Sequence, residues 1–293
     1  MCLIQIADTP AAMTNEACNQ LKGSRRPARV GRTIHCTFLV IAVLTLSVEA
    51  RCDNLIKPQR IENPTGLQKF YELLHRSAQQ SPDAFTRIIH YGDSHVAADW
   101  LTGKLRRNFH RDFGAEFVAY EAKGSNGARA TKPLGWNWEA IAESFLDNQP
   151  ALIVIAYGSN EVGDADLDLD EYKVQFETLL HHCKEAAPEA SLLVLAPPDR
   201  AIMRQGHWRT ISRLPALIAT QREAALNEGA AFWNQFQAMG SANSINRWAN
   251  LSPKLAQKDR VHLTRAGYEL IADALYAELM REFENYQQRT TKE

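Results

Sequence analysis

The chain has 293 residues, 45% of them hydrophobic and 23% charged, with a formal net charge of -1. That composition is ordinary for a globular protein and supports one sizeable core. The near-neutral charge gives no electrostatic reason to expect a nucleic-acid partner.

The first 50 residues read as an address rather than as core. Arg25, Arg26, Arg29 and Arg32 form a basic run, followed by an apolar run from Cys36 to Val48 and then Val48-Glu49-Ala50. A basic segment, a short apolar segment and small residues at a cleavage position make an export signal, cut after Ala50. The expected destination is the periplasm or the medium, and the alternative is an uncleaved anchor in the inner membrane. The leader is long, so a start at Met13 is also open. Arg51 before Cys52 argues against a lipoprotein site. Cleavage leaves 28 Lys/Arg and 31 Asp/Glu, a formal charge of -3, and only Cys52 and Cys183 of the five cysteines. That pair could bridge in an oxidising compartment, but nothing requires it. Residues 51–293 read as a single domain. His181, His182 and Cys183 are adjacent, so on a helix they point apart and share no ion. No metal site is expected.

The rest alternates helix and strand. A helix is predicted over Asn63–Gln80, with Leu67, Phe70, Leu73 and Leu74 on one face. Phe85–Tyr91 is a strand, and Ser94–Phe113 the helix after it. Phe117–Tyr120 is a second strand, followed by the loop Lys123–Ala128, Trp136, Trp138 and a short helix over Ala140–Leu146. Ala151–Tyr157 is apolar throughout, as in a parallel strand covered on both faces. A helix over Leu169–Ala187 and a strand over Ser191–Ala196 come next. After Pro197-Pro198-Asp199-Arg200 there is a polar loop, then a helix over Leu214–Asn227 and a short strand over Ala230–Trp233. An irregular stretch leads to Asp259-Arg260-Val261-His262 and a last helix over Arg265–Tyr286. The expected fold is α/β: a three-layer α/β/α sandwich around a mainly parallel sheet of about five strands, flavodoxin-like in plan. Ligands in such folds bind at the carboxyl ends of the strands.

Chemistry gathers at that edge. Ile88-Ile89-His90-Tyr91-Gly92-Asp93-Ser94 is a strand running into a turn that opens a helix, so the Ser94 hydroxyl sits beside free N–H groups. A serine needs a base, usually a histidine held by a carboxylate. Asp259 and His262 are three residues apart, a spacing at which a turn can set carboxylate against imidazole. An oxyanion needs donors, available from the N–H of Ser94, the N–H of Gly127 and the amide of Asn160.

Gly92-Asp93-Ser94, a loop glycine after the second strand, Gly158-Ser159-Asn160 and Asp259-Arg260-Val261-His262 occur in the order of the SGNH (GDSL-type) hydrolases, which the sequence resembles over about residues 85–285. The resemblance implies Ser94 as nucleophile, His262 as general base and acid, and Asp259 as its orienting partner. Ser94, Gly127 and Asn160 are the implied oxyanion donors, with Gly124 competing with Gly127 for the loop position. It calls for no metal or organic cofactor. Leucine is usual where His95 stands. Gly-Asp-Ser-His, Tyr157-Gly158-Ser159-Asn160-Glu161, Pro197-Pro198-Asp199, and Ala238-Met239-Gly240 with Trp248 are similar to the bacterial peptidoglycan O-acetylesterase branch. His95 either contacts substrate or packs beside the nucleophile's helix. Trp136 and Trp138 either form a wall for a sugar ring or anchor their loop. Arg204, His207, Trp208 and Arg209 either line the cleft mouth or are solvated.

The expected activity is an exported serine esterase removing small acyl groups, acetyl above all, from a glycan, with an acylated glycan or other small ester as its partner. The alternatives are an O-acyltransferase, a general short-chain carboxylesterase or lipase, and a glycan-binding module without catalysis. No long apolar lid favours the lipase. No stable membrane insertion is expected after signal cleavage.

Overall fold

The computed structural model describes residues 55–291. The proposed export signal and Cys52 lie outside them. A 3-10 turn at Pro64–Leu67 leads into α1 (Gln68–Ala78). Then follow β1 (Thr86–Gly92), α2 (Ser94–Ala97), α3 (Trp100–Phe113), β2 (Val118–Gly124), α4 (Trp138–Asp147), β3 (Leu152–Ala156), α5 (Leu169–Ala186) and β4 (Ser191–Leu195). The chain ends with β5 (Ala201–Arg204), β6 (His207–Thr210), α6 (Leu214–Asn227), β7 (Ala231–Trp233), α7 (Gln235–Ala238), α8 (Ser244–Ala249) and α9 (Arg265–Thr290).

Five strands form one parallel sheet in the order β2-β1-β3-β4-β7. Strand periodicity divides the core in two. Ile88, Val154, Leu193 and Trp233 face α1, α3 and α9, where Phe70, Leu105, Phe109 and Ile271 are buried. Ile89, Ile153, Val194 and Phe232 face α4, α5 and α6, where Phe145, Phe176, Leu179 and Leu217 are buried. Both faces are covered, which is why β3 and β4 carry unbroken apolar runs. This is the expected three-layer architecture. Among the described residues no helix is long and apolar enough to cross a membrane.

The structure departs from the predicted elements in four places. The helix after Ser94 is not continuous. It breaks at Asp99, whose φ is 51° and whose carboxylate accepts from Thr102 and Arg106 in the first two turns of α3. β2 runs four residues further than predicted, to Gly124, which pairs with Gly92. A Cβ on Gly124 would lie 2.1 Å from the Ala97 N, so only glycine lets α2 rest on the end of β2. The polar loop after Pro198 is an antiparallel hairpin, β5–β6. Its turn is Gln205-Gly206, with φ of 50° and 77°, the two left-handed residues of a tight hairpin turn. The irregular stretch before Asp259 contains α7 and α8.

Asp199 joins the hairpin to α8. Its buried carboxylate accepts from the Thr210 hydroxyl at 2.7 Å, the Ile245 N–H at 3.0 Å and the Ser244 hydroxyl at 3.2 Å. Cys183 is a buried free thiol on the inner face of α5.

Candidate active site

β1 and the loops after β2 and β3 deliver their residues to neighbouring positions, because these three strands are adjacent and parallel. Asp93 ends β1 as the cap of α2, its carboxylate accepting from the His95 N–H at 2.9 Å. Ser94 is the first residue of that helix, so its own N–H has no intrahelical acceptor.

The last segment of the chain returns to the same edge. His262 Nε2 lies 2.9 Å from Ser94 Oγ, across 168 residues of sequence. His262 Nδ1 lies 2.7 Å from Asp259 Oδ2. The other carboxylate oxygen of Asp259 accepts the N–H groups of Val261 at 3.0 Å and His262 at 3.1 Å, which closes the turn. With Nδ1–H donating to Asp259, Nε2 is left as an acceptor facing the hydroxyl. Partial burial raises the Asp259 pKa, but the hydrogen bonds from His262 and Val261 outweigh it and hold the carboxyl below its ordinary value. Thr264 caps α9 through its bond from the Gly267 N–H, fixing where the turn ends.

The loop after β2 is held from β3. Asn160 Nδ2 donates to the Ala128 carbonyl at 2.8 Å, and Glu161 Oε1 accepts the Ala130 N–H at 2.7 Å. Gly127, between strand and clamp, has φ of 71°, and its N–H donates to no backbone carbonyl among the described residues. An amide nitrogen carries two hydrogens, so Asn160 keeps one free after bonding Ala128. Gly124, the other glycine considered for this loop, belongs to β2 under α2. The N–H groups of Ser94 and Gly127 and one hydrogen of the Asn160 amide thus remain unused by the backbone at one sheet edge.

Asp93 is 1% exposed. Burial pushes its carboxyl up to about 6, against bonds from the His95 N–H and Ser159 and the charges of His262 and Arg200. A carboxyl that binds its proton more tightly when folded loses stability as pH rises from its ordinary 3.8 through that value. The contribution is on the order of 3 kcal/mol. Asp93→Asn is expected to flatten this part of the profile. Chemical denaturation of both proteins at intervals from pH 4 to 8 checks it, and parallel curves would refute it.

His95 is packed beside the nucleophile's helix. Its Nδ1 lies 2.7 Å from the Tyr268 hydroxyl and its ring centroid is 5.2 Å from that of His262. Burial pushes its pKa down to about 3, so it stays neutral behind the base. Both tryptophans are half-buried. Trp138 donates its indole N–H to the Pro133 carbonyl at 2.9 Å and stacks on His182, and Trp136 rests on Tyr91.

Tyr268, Arg200 and Glu161 have supporting parts that the sequence did not reveal. Tyr268 holds His95, Arg200 donates to the Ser159 carbonyl, and Glu161 holds Ala130. Tyr268 lay at the end of the run begun by Asp259. Glu161 closes the run Tyr157–Glu161 and Arg200 follows Pro197-Pro198-Asp199, so these two also lay in or next to stretches with a signal, though neither was singled out. Among the described residues no group of three His, Cys, Asp or Glu is set to hold a metal ion.

A doubly wound sheet with a serine, an imidazole and a carboxylate in hydrogen-bonded line at its carboxyl edge defines an ester hydrolase of the α/β class. The model of the GDSL-like Lipase/Acylhydrolase family matches residues 77–270, and the chain belongs to that family. No curated protein sequence matches significantly. Among solved structures, a peptidoglycan O-acetylesterase superposes with a TM-score of 0.67 at 17% identity, covering 74% of this chain and 96% of that one. The acetyl xylan esterase AlAXEase gives 0.53 at 15% identity, covering 65% and 98%. A catalytic mutant of an acetylxylan esterase from Geobacillus stearothermophilus gives 0.50 at 17%, covering 66% and 94%. At these identities the likeness is one of fold.

Proposed function

We propose that this protein is an exported serine esterase that removes O-acetyl groups from a glycan. The observation that carries the reading is the line Ser94 Oγ, His262 Nε2, His262 Nδ1, Asp259 Oδ2, with separations of 2.9 and 2.7 Å at its two hydrogen bonds. Solved structures that share the fold include esterases named for peptidoglycan and xylan, which supports an acetylated glycan as substrate. The basic and apolar runs before Ala50 support export.

Ser94 passes its proton to His262 Nε2 as Oγ attacks the acetyl carbonyl carbon. The carbonyl oxygen becomes an oxyanion held by the N–H groups of Ser94 and Gly127 and the amide of Asn160. Asp259 stabilises the imidazolium. Collapse breaks the bond to the sugar oxygen, which takes the proton from His262 and departs as the alcohol. Water then gives a proton to His262 and attacks the acetyl carbon. Acetate leaves, and Oγ recovers the proton.

Asn160→Ala removes one oxyanion donor and the tie to Ala128. The expected result is a kcat about 10²–10³ lower on p-nitrophenyl acetate with KM little changed. A fall in kcat/KM confined to KM would place Asn160 in ground-state binding instead. The substrate class is tested by acetate release from O-acetylated peptidoglycan and from acetylated xylan. Release from either supports the reading. Turnover of p-nitrophenyl acetate with release from neither removes the glycan and leaves the ester hydrolase.

A further inference from the structure

The arginines of the described residues are divided in an unusual way. Most pair with carboxylates, as Arg87 does with Glu121, Arg106 with Asp99 and Arg281 with Glu278. Seven have no carboxylate within 4.0 Å among the described residues: Arg289 near the end of α9, and Arg200, Arg204, Arg209, Arg213, Arg247 and Arg260. The last six belong to the β5–β6 hairpin, its flanks, α8 and the Asp259 turn. Residues 200–213 carry four arginines and no Asp or Glu, in a chain of net charge -1.

Two of the six, Arg209 and Arg247, line a groove of about 420 Å³, together with His207 and Trp208 from β6 and Asn243, Asn246 and Asn250 around α8. No carboxylate lines it. The walls are tied together by Asp199, whose carboxylate takes bonds from the hairpin and from α8. Arg209 and Arg204 donate no hydrogen bond within the described residues, whereas Arg247 is held by the carbonyls of Gly240 and Ala242. The groove adjoins the candidate active site through one residue. Arg260 follows Asp259, its guanidinium lies 5.4 Å from the Trp208 ring centroid, and its carbonyl accepts the Ala201 N–H.

We propose that this groove is a binding subsite for an acidic glycan, one that carries carboxylates along its chain. Guanidinium groups bind carboxylates, side-chain amides bond sugar hydroxyls, and an indole presents an apolar surface to the ring's C–H groups. Charge complementarity favours this occupant, since an uncharged polymer gives no use for cations left without a carboxylate. The polymer would lie along the hairpin and α8, with its ester reaching the Ser94 edge past Arg260. The proposal rests on the glycan esterase reading above and narrows its substrate class.

The test is affinity electrophoresis of the full chain in gels containing polygalacturonate, xylan or a single-stranded oligonucleotide. The expected result is retardation by polygalacturonate alone, weakened at least tenfold in affinity by Arg209→Glu and untouched by Arg289→Glu, a charge reversal near the end of α9. Trp208→Ala is expected to weaken it as well, and added salt to reduce it. No retardation by polygalacturonate, equal retardation by xylan or by the oligonucleotide, or indifference to Arg209→Glu would each overturn the subsite. Turnover of p-nitrophenyl acetate by the same preparations reports the esterase reading separately, so either idea can fail while the other stands. In a second measurement, the ratio of kcat/KM on an acetylated acidic polymer to that on p-nitrophenyl acetate should fall about tenfold in Arg209→Glu. The same ratio taken with acetylated xylan should not fall.

Discussion

Ser94→Ala lowers kcat on p-nitrophenyl acetate by about 10⁴-fold or more, with melting temperature close to wild type. The substitution deletes one oxygen. In the proposed mechanism that oxygen is the attacking atom, and it is the partner of His262 at 2.9 Å. It contributes nothing to the cap of α2, which rests on the Asp93 carboxylate and the His95 N–H. Folding and chemistry are therefore separable at this position. The oxyanion donors remain in the variant, so a residual rate above the uncatalysed reaction is expected. A variant as fast as wild type would end the assignment of Ser94 as nucleophile. Steady-state kinetics on highly purified protein, with calorimetry for stability, make the measurement.

Asp259→Asn is expected to lower kcat by about 10⁴-fold while leaving the turn folded. Asp259 uses one oxygen for the N–H groups of Val261 and His262 and the other for the imidazole. An asparagine can keep the first set with its carbonyl oxygen. Its amide nitrogen then faces His262 Nδ1 and makes that atom the acceptor. The ring proton moves to Nε2, which can no longer take the proton of Ser94. The loss should fall on kcat and be nearly absent from KM. The carboxyl is about half exposed, so its effect on stability is small. Because its pKa is held low, that effect is present above the ordinary carboxyl range and lost as pH falls. Asp259→Asn with full activity would show that the carboxylate only closes the turn.

Much of the architecture was legible because burial on two sides leaves a plain record. Ala151–Tyr157 and Leu192–Ala196 are apolar on both parities, and a strand with helices on each face must be so. The helix Leu214–Asn227 has the predicted bounds. The hairpin was missed because Met203, Arg204, His207 and Arg209 face solvent and leave no alternation of apolar residues. The signal was its turn, where Gly206 follows a residue that also takes positive φ. The helix break at Asp99 was missed for a related reason. The apolar spacing of Trp100, Leu101 and Leu105 continues the helix on paper, while the Asp99 carboxylate stabilises a local backbone reversal.

The amino-acid sequence by itself determined which atoms are available: a hydroxyl after a strand, an imidazole three residues beyond a carboxylate, an amide after another strand, and the order in which they come. These follow from local spacing, which the covalent chain dictates. Only the tertiary structure decided that Ser94 and His262 meet, since their contact depends on how α9 packs against α3 and on the sheet order that sets β1 beside β2 and β3. It likewise decided that His95 turns to Tyr268, that Gly124 lies under α2 while Gly127 stands in the open loop, and that six arginines around the hairpin and α8 have no carboxylate to pair with. Contacts across more than a hundred residues are chosen by the whole core packing at once, and no short stretch of the chain holds that information.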